Sequence, residues 1–407
     1  MIRFKNESLY MENVEIKKLT EKFGTPLYAY SKESIVKEYR SFAHALKGIG
    51  GRIHYAVKAN ANVELLKILK REGCSFDVDS EGEMRAATKA GARGKDIIFT
   101  GPGKSSEELA FAIQKGCRYI AVESLQEAAL IKKLARTLLK KIDVSIRVNP
   151  DIRFKTHAYI ATGEKKHKFG VSPQNALRIF EFIKQSKYVR LVGINAHIGC
   201  QIENPDTRKL LAARLISIAL TLNAKGAAIQ YIDLGGGFPY DYRHQKTFDA
   251  KKYFEPTARL FKRYPQFTLV IEPGRRIVAG AGILLAKVLY TKENYGNHFT
   301  VIDAAMNDLI RPALYGATHR IVPLQATSRP KQLTSVVGPI CESADFFANR
   351  ISLPLMKPGE FLAVLDTGAY GFIMSSNYGL RRKPAEILVD QNKYRLIRKR
   401  QTYEQAL

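Results

Sequence analysis

The chain has 407 residues, 45% hydrophobic and 25% charged, and its 65 Lys+Arg against 38 Asp+Glu leave a net charge of +27. That composition describes a folded, soluble protein, long enough for two domains and a sizeable core. The opening MIRFKNESLYMENVEIKKL has no continuous apolar h-region, and the most apolar segment, Ile277 to Leu289, carries Lys287 and is too short to span a bilayer, so a cytoplasmic protein without a membrane anchor is expected. Cys74, Cys117, Cys200 and Cys341 lie far apart without CxxC spacing, which argues against a disulfide framework and a zinc site; no metal is expected. The excess charge would attract anions, yet it gathers only in short clusters, Lys165-Lys166-His167-Lys168, Arg381-Arg382-Lys383 and Arg398-Lys399-Arg400. A solvated basic surface, rather than nucleic-acid binding, is the expectation.

In chain order, Thr25 to Ser31 is an apolar run that reads as a strand, and Ser31 to Lys47 has helical spacing with Ile35, Tyr39, Phe42 and Leu46 on one face. Strand-like runs then recur at 52–58, 74–80, 96–101, 119–124, 143–149, 191–198, 231–237 and 268–274. Between most of them lie helical patterns: Val63–Lys70, Glu81–Ala90, Ser106–Lys115, Gln126–Leu138, Pro173–Lys184 and Arg208–Leu222. Eight strand-then-helix units predict an α/β fold, a (β/α)8 TIM-type barrel over 34–283, and that span of about 250 residues is the usual size. The helix before the first strand would take the place of an eighth. Beyond 283 the pattern changes to β-branched and aromatic runs broken by Gly and Pro, at 283–290, 298–303, 333–338, 359–365, 384–389 and 394–398. These predict an all-β domain of residues 284–407 that also takes the N-terminal strand within 1–33.

A barrel of this kind carries its chemistry at the C-terminal ends of its strands, with phosphate commonly bound after strands seven and eight. Lys58 ends the first strand, where burial would favour a neutral, nucleophilic amine able to form a Schiff base. The seventh strand ends in Gly235-Gly236-Gly237, whose backbone amides can approach an anion, and the eighth in Glu272-Pro273-Gly274-Arg275. His197 ends the sixth. A reactive lysine, a phosphate cradle, a flat residue for a ring face and a carboxylate for a pyridinium nitrogen together describe a pyridoxal 5'-phosphate site. Glu272 is the carboxylate in that reading, and His197 lies against the ring.

The segments YAVKAN, NAHIGCQ, DLGGGF, EPGR, MNDLIRPALYGA, GPICESAD and DTGAYGFIMSSNY, in that order, resemble the diaminopimelate decarboxylases, pyridoxal-phosphate enzymes of the alanine-racemase-like fold that make L-lysine from meso-diaminopimelate. The resemblance covers about residues 25–390. Its first four motifs are shared with ornithine and arginine decarboxylases, which remain the alternative, as does a noncatalytic, basic nucleic-acid-associated protein. It implies that Lys58 is the Schiff-base lysine and that His197, Gly235, Gly236, Gly237, Glu272, Pro273, Gly274, Arg275 and Tyr370 bind the cofactor. Arg275, Arg311 and Tyr315 then match positions holding the distal carboxylate of the substrate, with Tyr370 near both phosphate and substrate. Cys341 matches a thiol that protonates Cα and Glu342 a carboxylate that meets the distal ammonium, both contributed across a homodimer with shared active sites. A racemase of the same fold sets an arginine against the ring nitrogen, so Glu272 speaks against that activity. The chain departs from the family pattern at Asp79 and Glu81, where an apolar residue and a glycine are usual, at Cys200 for serine, at Gly237-Phe238-Pro239-Tyr240, and at Tyr378-Gly379-Leu380-Arg381.

Overall fold

Runs such as Ile97–Phe99 and Tyr119–Val122 bury every side chain, as parallel strands covered on both faces must. The computed structural model describes residues 2–152, 168–243 and 248–407; Lys165, Lys166 and His167 of the first basic cluster lie outside them. Arg52–Ala56, Ser75–Val78, Ile97–Phe99, Tyr119–Val122, Ile142–Arg147, Val189–Asn195, Tyr231–Asp233 and Thr268–Ile271 pair in chain order, each parallel to the next, and the eighth strand closes on the first. The expected barrel is therefore present. Its strands end two to four residues earlier than the apolar runs imply. At the first strand the chain turns after Ala56 into a one-turn 3-10 helix, Val57–Ala59, so Lys58 sits in a turn rather than in the strand.

The helices between the strands start where capping side chains meet the first free amides. Asn62, Ser80, Ser105, Ser124 and Ser172 each accept a backbone N–H from the first turn that follows. Helix Ala250–Phe261, between strands seven and eight, escapes a periodicity reading because Pro256 interrupts it. The opening helix, Lys32–Lys47, contacts both neighbours that an eighth barrel helix would have. Phe42 packs edge-on against Phe254, with ring centroids 6.1 Å apart, and Arg40 pairs with Glu72, the C-cap residue of helix Val63–Arg71, at 2.7 Å.

The chain divides into two compact units. For their described residues, one comprises Tyr39–Tyr240 and Thr247–Gly274, the other Met1–Glu38, Asp241–Lys246 and Arg275–Leu407. The first contains the barrel. In the second, the sheet order is Phe346–Pro354, Lys331–Val337, Asn297–Ile302, Gly282–Asn294, Leu27–Ser31, Ala385–Asp390, Lys393–Arg398, with Phe361–Val364 also paired to Gly282–Asn294. Leu27–Ser31 runs antiparallel to Gly282–Asn294 and parallel to Ala385–Asp390, so the N-terminal strand does join the C-terminal β domain. Strand Phe346–Pro354, with the polar Asn349-Arg350 at its centre and Arg350 at φ +48°, was not legible as an apolar run. A small sheet, Ile2–Lys5, Ser8–Met11 and Val14–Glu15, and helix Ile16–Phe23 also belong to this unit. Among the described residues no helix is long and apolar enough to cross a membrane.

Candidate active site

At the barrel, the amino group of Lys58 meets acids rather than apolar walls. Its Nζ lies 3.0 and 3.2 Å from the Asp79 carboxylate oxygens and 3.8 Å from Asp77 Oδ2, and its side chain is 43% exposed. The desolvated amine expected from the apolar strand is thus replaced by an ion-paired one. Asp77 lies in strand two and Asp79 in the turn that follows it, and the Thr100 hydroxyl ties them together, 2.6 Å from Asp77 Oδ1 and 2.8 Å from Asp79 Oδ1. Burial would raise Asp79, but the Lys58 charge and the hydrogen bonds from Lys58 and Thr100 outweigh it and hold the carboxyl below its usual range. Asp77 is pushed well above that range by burial and the facing Glu272. Glu83, which accepts the Asp79 N–H at 2.8 Å, is pushed up to about 7 by burial.

Glu272 follows the eighth strand and faces Asp233 of the seventh. Asp233 accepts the Gly235 N–H at 2.9 Å and the Tyr119 hydroxyl at 2.9 Å. Burial and then the Asp233 charge push Glu272 well above the usual carboxylate range, while burial pushes Asp233 up to about 6. Among the described residues Glu272 Oε1, which is buried, has no hydrogen-bond partner. An orphaned acid oxygen of this kind fits a ligand that brings a ring N–H.

His197 accepts the Gly236 N–H on Nδ1 at 3.1 Å, which leaves its proton on Nε2. Burial, then the charges of Arg147, Lys58 and Arg208, hold its pKa well below the ordinary value, so the ring is neutral. The glycine loop differs from the expected cradle: Gly235 gives its N–H to Asp233 and Gly236 to His197, and only Gly237 N–H lacks an acceptor among the described residues. A side chain at Gly236 would strike Glu272 O at 2.5 Å, and Gly237 stands at φ +86° beside Gly199 O, so the close backbone approach does require glycine. Pro273 O accepts the Ala56 N–H at 3.3 Å, and a Cβ at Gly274 would meet that of Ala59 at 2.9 Å. These contacts hold the loop after strand eight close to the turn that carries Lys58.

The second unit gathers a different group. Arg311 begins helix Arg311–Tyr315, is 5% exposed, and places its guanidinium 4.7 Å from the centre of the Tyr242 ring. Its Nη1 donates to His319 Nε2 at 2.8 Å, and His319 Nδ1–H donates to Leu365 O at 2.9 Å. Burial, with the Arg311 charge adding to it, drives His319 down to about 3; a neutral imidazole with that tautomer is the only form that serves both contacts. Arg311 Nε is buried without a partner among the described residues. Arg275 bonds the Tyr242 hydroxyl through Nη1 at 3.0 Å and lies 4.8 Å from the centre of the Tyr370 ring. Tyr370 has φ +56°, a strained backbone for a bulky residue. Tyr315 is half-buried at the end of the Arg311 helix and adds to the field at Arg311.

Cys341 and Glu342 are exposed, in the turn between strands Lys331–Val337 and Phe346–Pro354. Asp345 shapes that turn, taking the N–H groups of Ile340 at 2.9 Å and Met306 at 2.7 Å. Lys58, His197, Glu272 and the glycine loop thus come together in one unit, and Arg275, Arg311 and Tyr370 in the other. The sequence reading missed Asp233, Tyr119, Thr100, Arg147, Tyr242 and His319 as members of these groups. The signal for Asp233 was a carboxylate inside an otherwise apolar strand; Tyr242 and His319 carried none.

A lysine set among acids at the open end of a parallel barrel, with an unpartnered acid oxygen beside a glycine loop, marks a class, and residues 32–279 match the family model described as pyridoxal-dependent decarboxylase, pyridoxal binding domain. The relatives narrow it. Diaminopimelate decarboxylase of Aquifex aeolicus is 39% identical over 403 residues, 99% of this chain and 96% of its own length, and that of Pseudomonas aeruginosa is 38% identical over the same shares. Among solved structures, diaminopimelate decarboxylase from Helicobacter pylori complexed with L-lysine has a TM-score of 0.92 at 36% identity, covering 96% of this chain and 98% of that one. The chain belongs to the diaminopimelate decarboxylase family.

Proposed function

We propose that the chain removes one carboxylate of meso-2,6-diaminopimelate as CO2 and yields L-lysine, the last step of lysine biosynthesis, with pyridoxal 5'-phosphate as cofactor. The observation that carries the substrate class is Arg311: a buried guanidinium, aimed by a neutral histidine, with an unpartnered Nε. Such a group pairs with a distal carboxylate, whereas the distal cation of ornithine or arginine would be repelled by it. The L-lysine complex of the Helicobacter pylori relative agrees with a product of that shape.

Bound pyridoxal 5'-phosphate supplies an electron sink for the pair left at Cα when CO2 departs. Lys58 provides the amine that attaches it, Glu272 takes the ring N–H with its orphaned oxygen, and His197 offers a neutral flat face. Gly235, Gly236, Gly237, Pro273, Gly274, Arg275 and Tyr370 complete its binding set. Arg275, Arg311 and Tyr315 hold the distal carboxylate and so orient the substrate. We assign to Cys341 the proton that goes from Sγ to Cα, and to Glu342 the distal ammonium, both supplied by a second copy of the chain in a cytoplasmic homodimer. The exposure of Cys341 suits a group that works on a neighbour.

Two experiments test this reading. CO2 release should be seen with meso-diaminopimelate and be at least about 100-fold slower with ornithine or arginine, the usual loss when a buried charge is left unpaired; equal rates would refute the substrate class. Cys341→Ala should slow turnover about 10² to 10⁴-fold while leaving the cofactor bound. Mixed with inactive Lys58→Ala chains, it should recover about one quarter of wild-type activity by statistical exchange. Confirmed exchange without recovery would rule out the shared site.

A further inference from the structure

Arg208 lies in the first turn of helix Pro205–Asn223 with its side chain fully buried. A cation there opposes the helix dipole and, being an arginine, it cannot escape by losing its proton. No carboxylate is within ion-pair reach of it among the described residues. Nη2 donates to Gly236 O at 2.7 Å, Nη1 to Leu234 O at 3.2 Å and Nε to the Tyr253 hydroxyl at 3.3 Å, and the guanidinium lies 4.2 Å from the centre of the Phe238 ring. Tyr253 in turn donates to Ile202 O at 2.7 Å, and Ile202 N–H to Gly237 O at 2.9 Å, so the contacts form a closed circuit behind the glycine loop. Neutral oxygens and a ring face compensate a buried charge only in part.

The peptide unit whose oxygen receives the Arg208 Nη2 bond is the one whose nitrogen is Gly237 N, the loop amide that lacks an acceptor among the described residues. Drawing electrons toward its carbonyl strengthens that N–H as a donor. We propose that Arg208 is a positioning residue for the glycine loop, fixing and polarising the Gly236–Gly237 peptide, and that a phosphate monoester dianion held by the loop is the counter-ion this guanidinium lacks among the described residues. The inference rests on the reading that the loop takes the phosphoryl group of the cofactor.

The test compares pyridoxal 5'-phosphate with phosphate-free pyridoxal, each titrated into the full-length chain after cofactor removal and followed by absorbance. Wild type should prefer the phosphorylated form strongly; no preference would sink the loop reading and this proposal with it. If the preference holds, Arg208→Met should weaken pyridoxal 5'-phosphate about 10-fold to 100-fold, the range for hydrogen bonds to a charged group, and pyridoxal less than about 3-fold. Equal losses for both ligands, or no loss for either, would overturn the role of Arg208 and leave the loop reading standing. Should Arg208→Met not fold, wild type itself carries the test through the monomethyl ester of the cofactor, a monoanion. The ester should bind at least about 10-fold more weakly than the dianion; equal affinity would overturn the counter-ion role.

Discussion

The two charged groups of this chain solve opposite problems by different means. In the barrel unit Asp77, Asp79, Asp233 and Glu272 crowd near Lys58, and the crowding is relieved by protons: Glu272 and Asp77 are held well above their usual range and Asp233 at about 6. In the β unit Arg275 and Arg311 are gathered, and a guanidinium has no such relief. Ring faces of Tyr242 and Tyr370 and a histidine kept neutral do that work instead. Acids can be stored in a protein core by neutralising them, whereas arginines must be stored against aromatic and neutral acceptors, ready for an anion.

The largest effect is expected from Lys58→Ala. It should cut kcat/KM by about 10⁴-fold or more, since the nucleophile is removed outright. Borohydride should fix the cofactor of wild type to the peptide containing Lys58; a label on any other lysine would refute the assignment. Next, Arg311→Ala should cost about 2 to 5 kcal/mol in kcat/KM for diaminopimelate, about 30-fold or more, because the distal carboxylate loses its partner in a dry site. A variant that still distinguishes diaminopimelate from analogues lacking that carboxylate as well as wild type does would exclude the role.

His319→Gln removes the neutral acceptor that aims Arg311. Loss of the aiming contact should raise KM about 10-fold with little change in kcat. Its effect on stability should depend on pH. A folded-state pKa of about 3 means that the unfolded chain binds the extra proton between about 6.5 and 3, so the neutral histidine contributes above that window and its contribution is lost as pH falls through it. The stability of wild type relative to the variant should therefore decline on acidification by about 1.4 kcal/mol per pH unit at most; parallel unfolding curves across that range would show that the histidine is charged in the fold. The smallest effect is expected at Asp79, whose partner Lys58 is 43% exposed. Asp79→Val, which restores the apolar residue usual in the family, should change stability by less than about 1 kcal/mol. A larger loss, measured by urea unfolding, would mean that Asp79 anchors the loop and not only the amine.

The barrel was legible because each strand is a short apolar run and each helix has its own cap; Ser105 and Gly116 bracket one helix at both ends. Lys58, Glu272 and the three glycines could be placed because strand ends carry the chemistry of a barrel. What sequence could not convey was the pairing between strands. Asp77, Thr100 and Asp79 meet only once strands two and three are side by side, so the ion-paired state of Lys58 was invisible in its own hexapeptide. His319 and Tyr242 met the same limit: each lies in a connecting segment whose neighbours are set by tertiary packing.

The position of Leu27–Ser31 between Gly282–Asn294 and Ala385–Asp390 also orders events during synthesis. All five residues of that strand are buried in the finished fold, and both of its partners are translated after the barrel. At about 5 to 20 residues per second, the strand waits roughly 10 to 50 s after leaving the ribosome before the first partner emerges. The barrel residues, from Tyr39 to Gly274, are made within that interval. The nascent chain therefore carries this strand unpaired while the barrel segment folds, an edge open to chaperones and to other chains until Gly282–Asn294 and Ala385–Asp390 arrive.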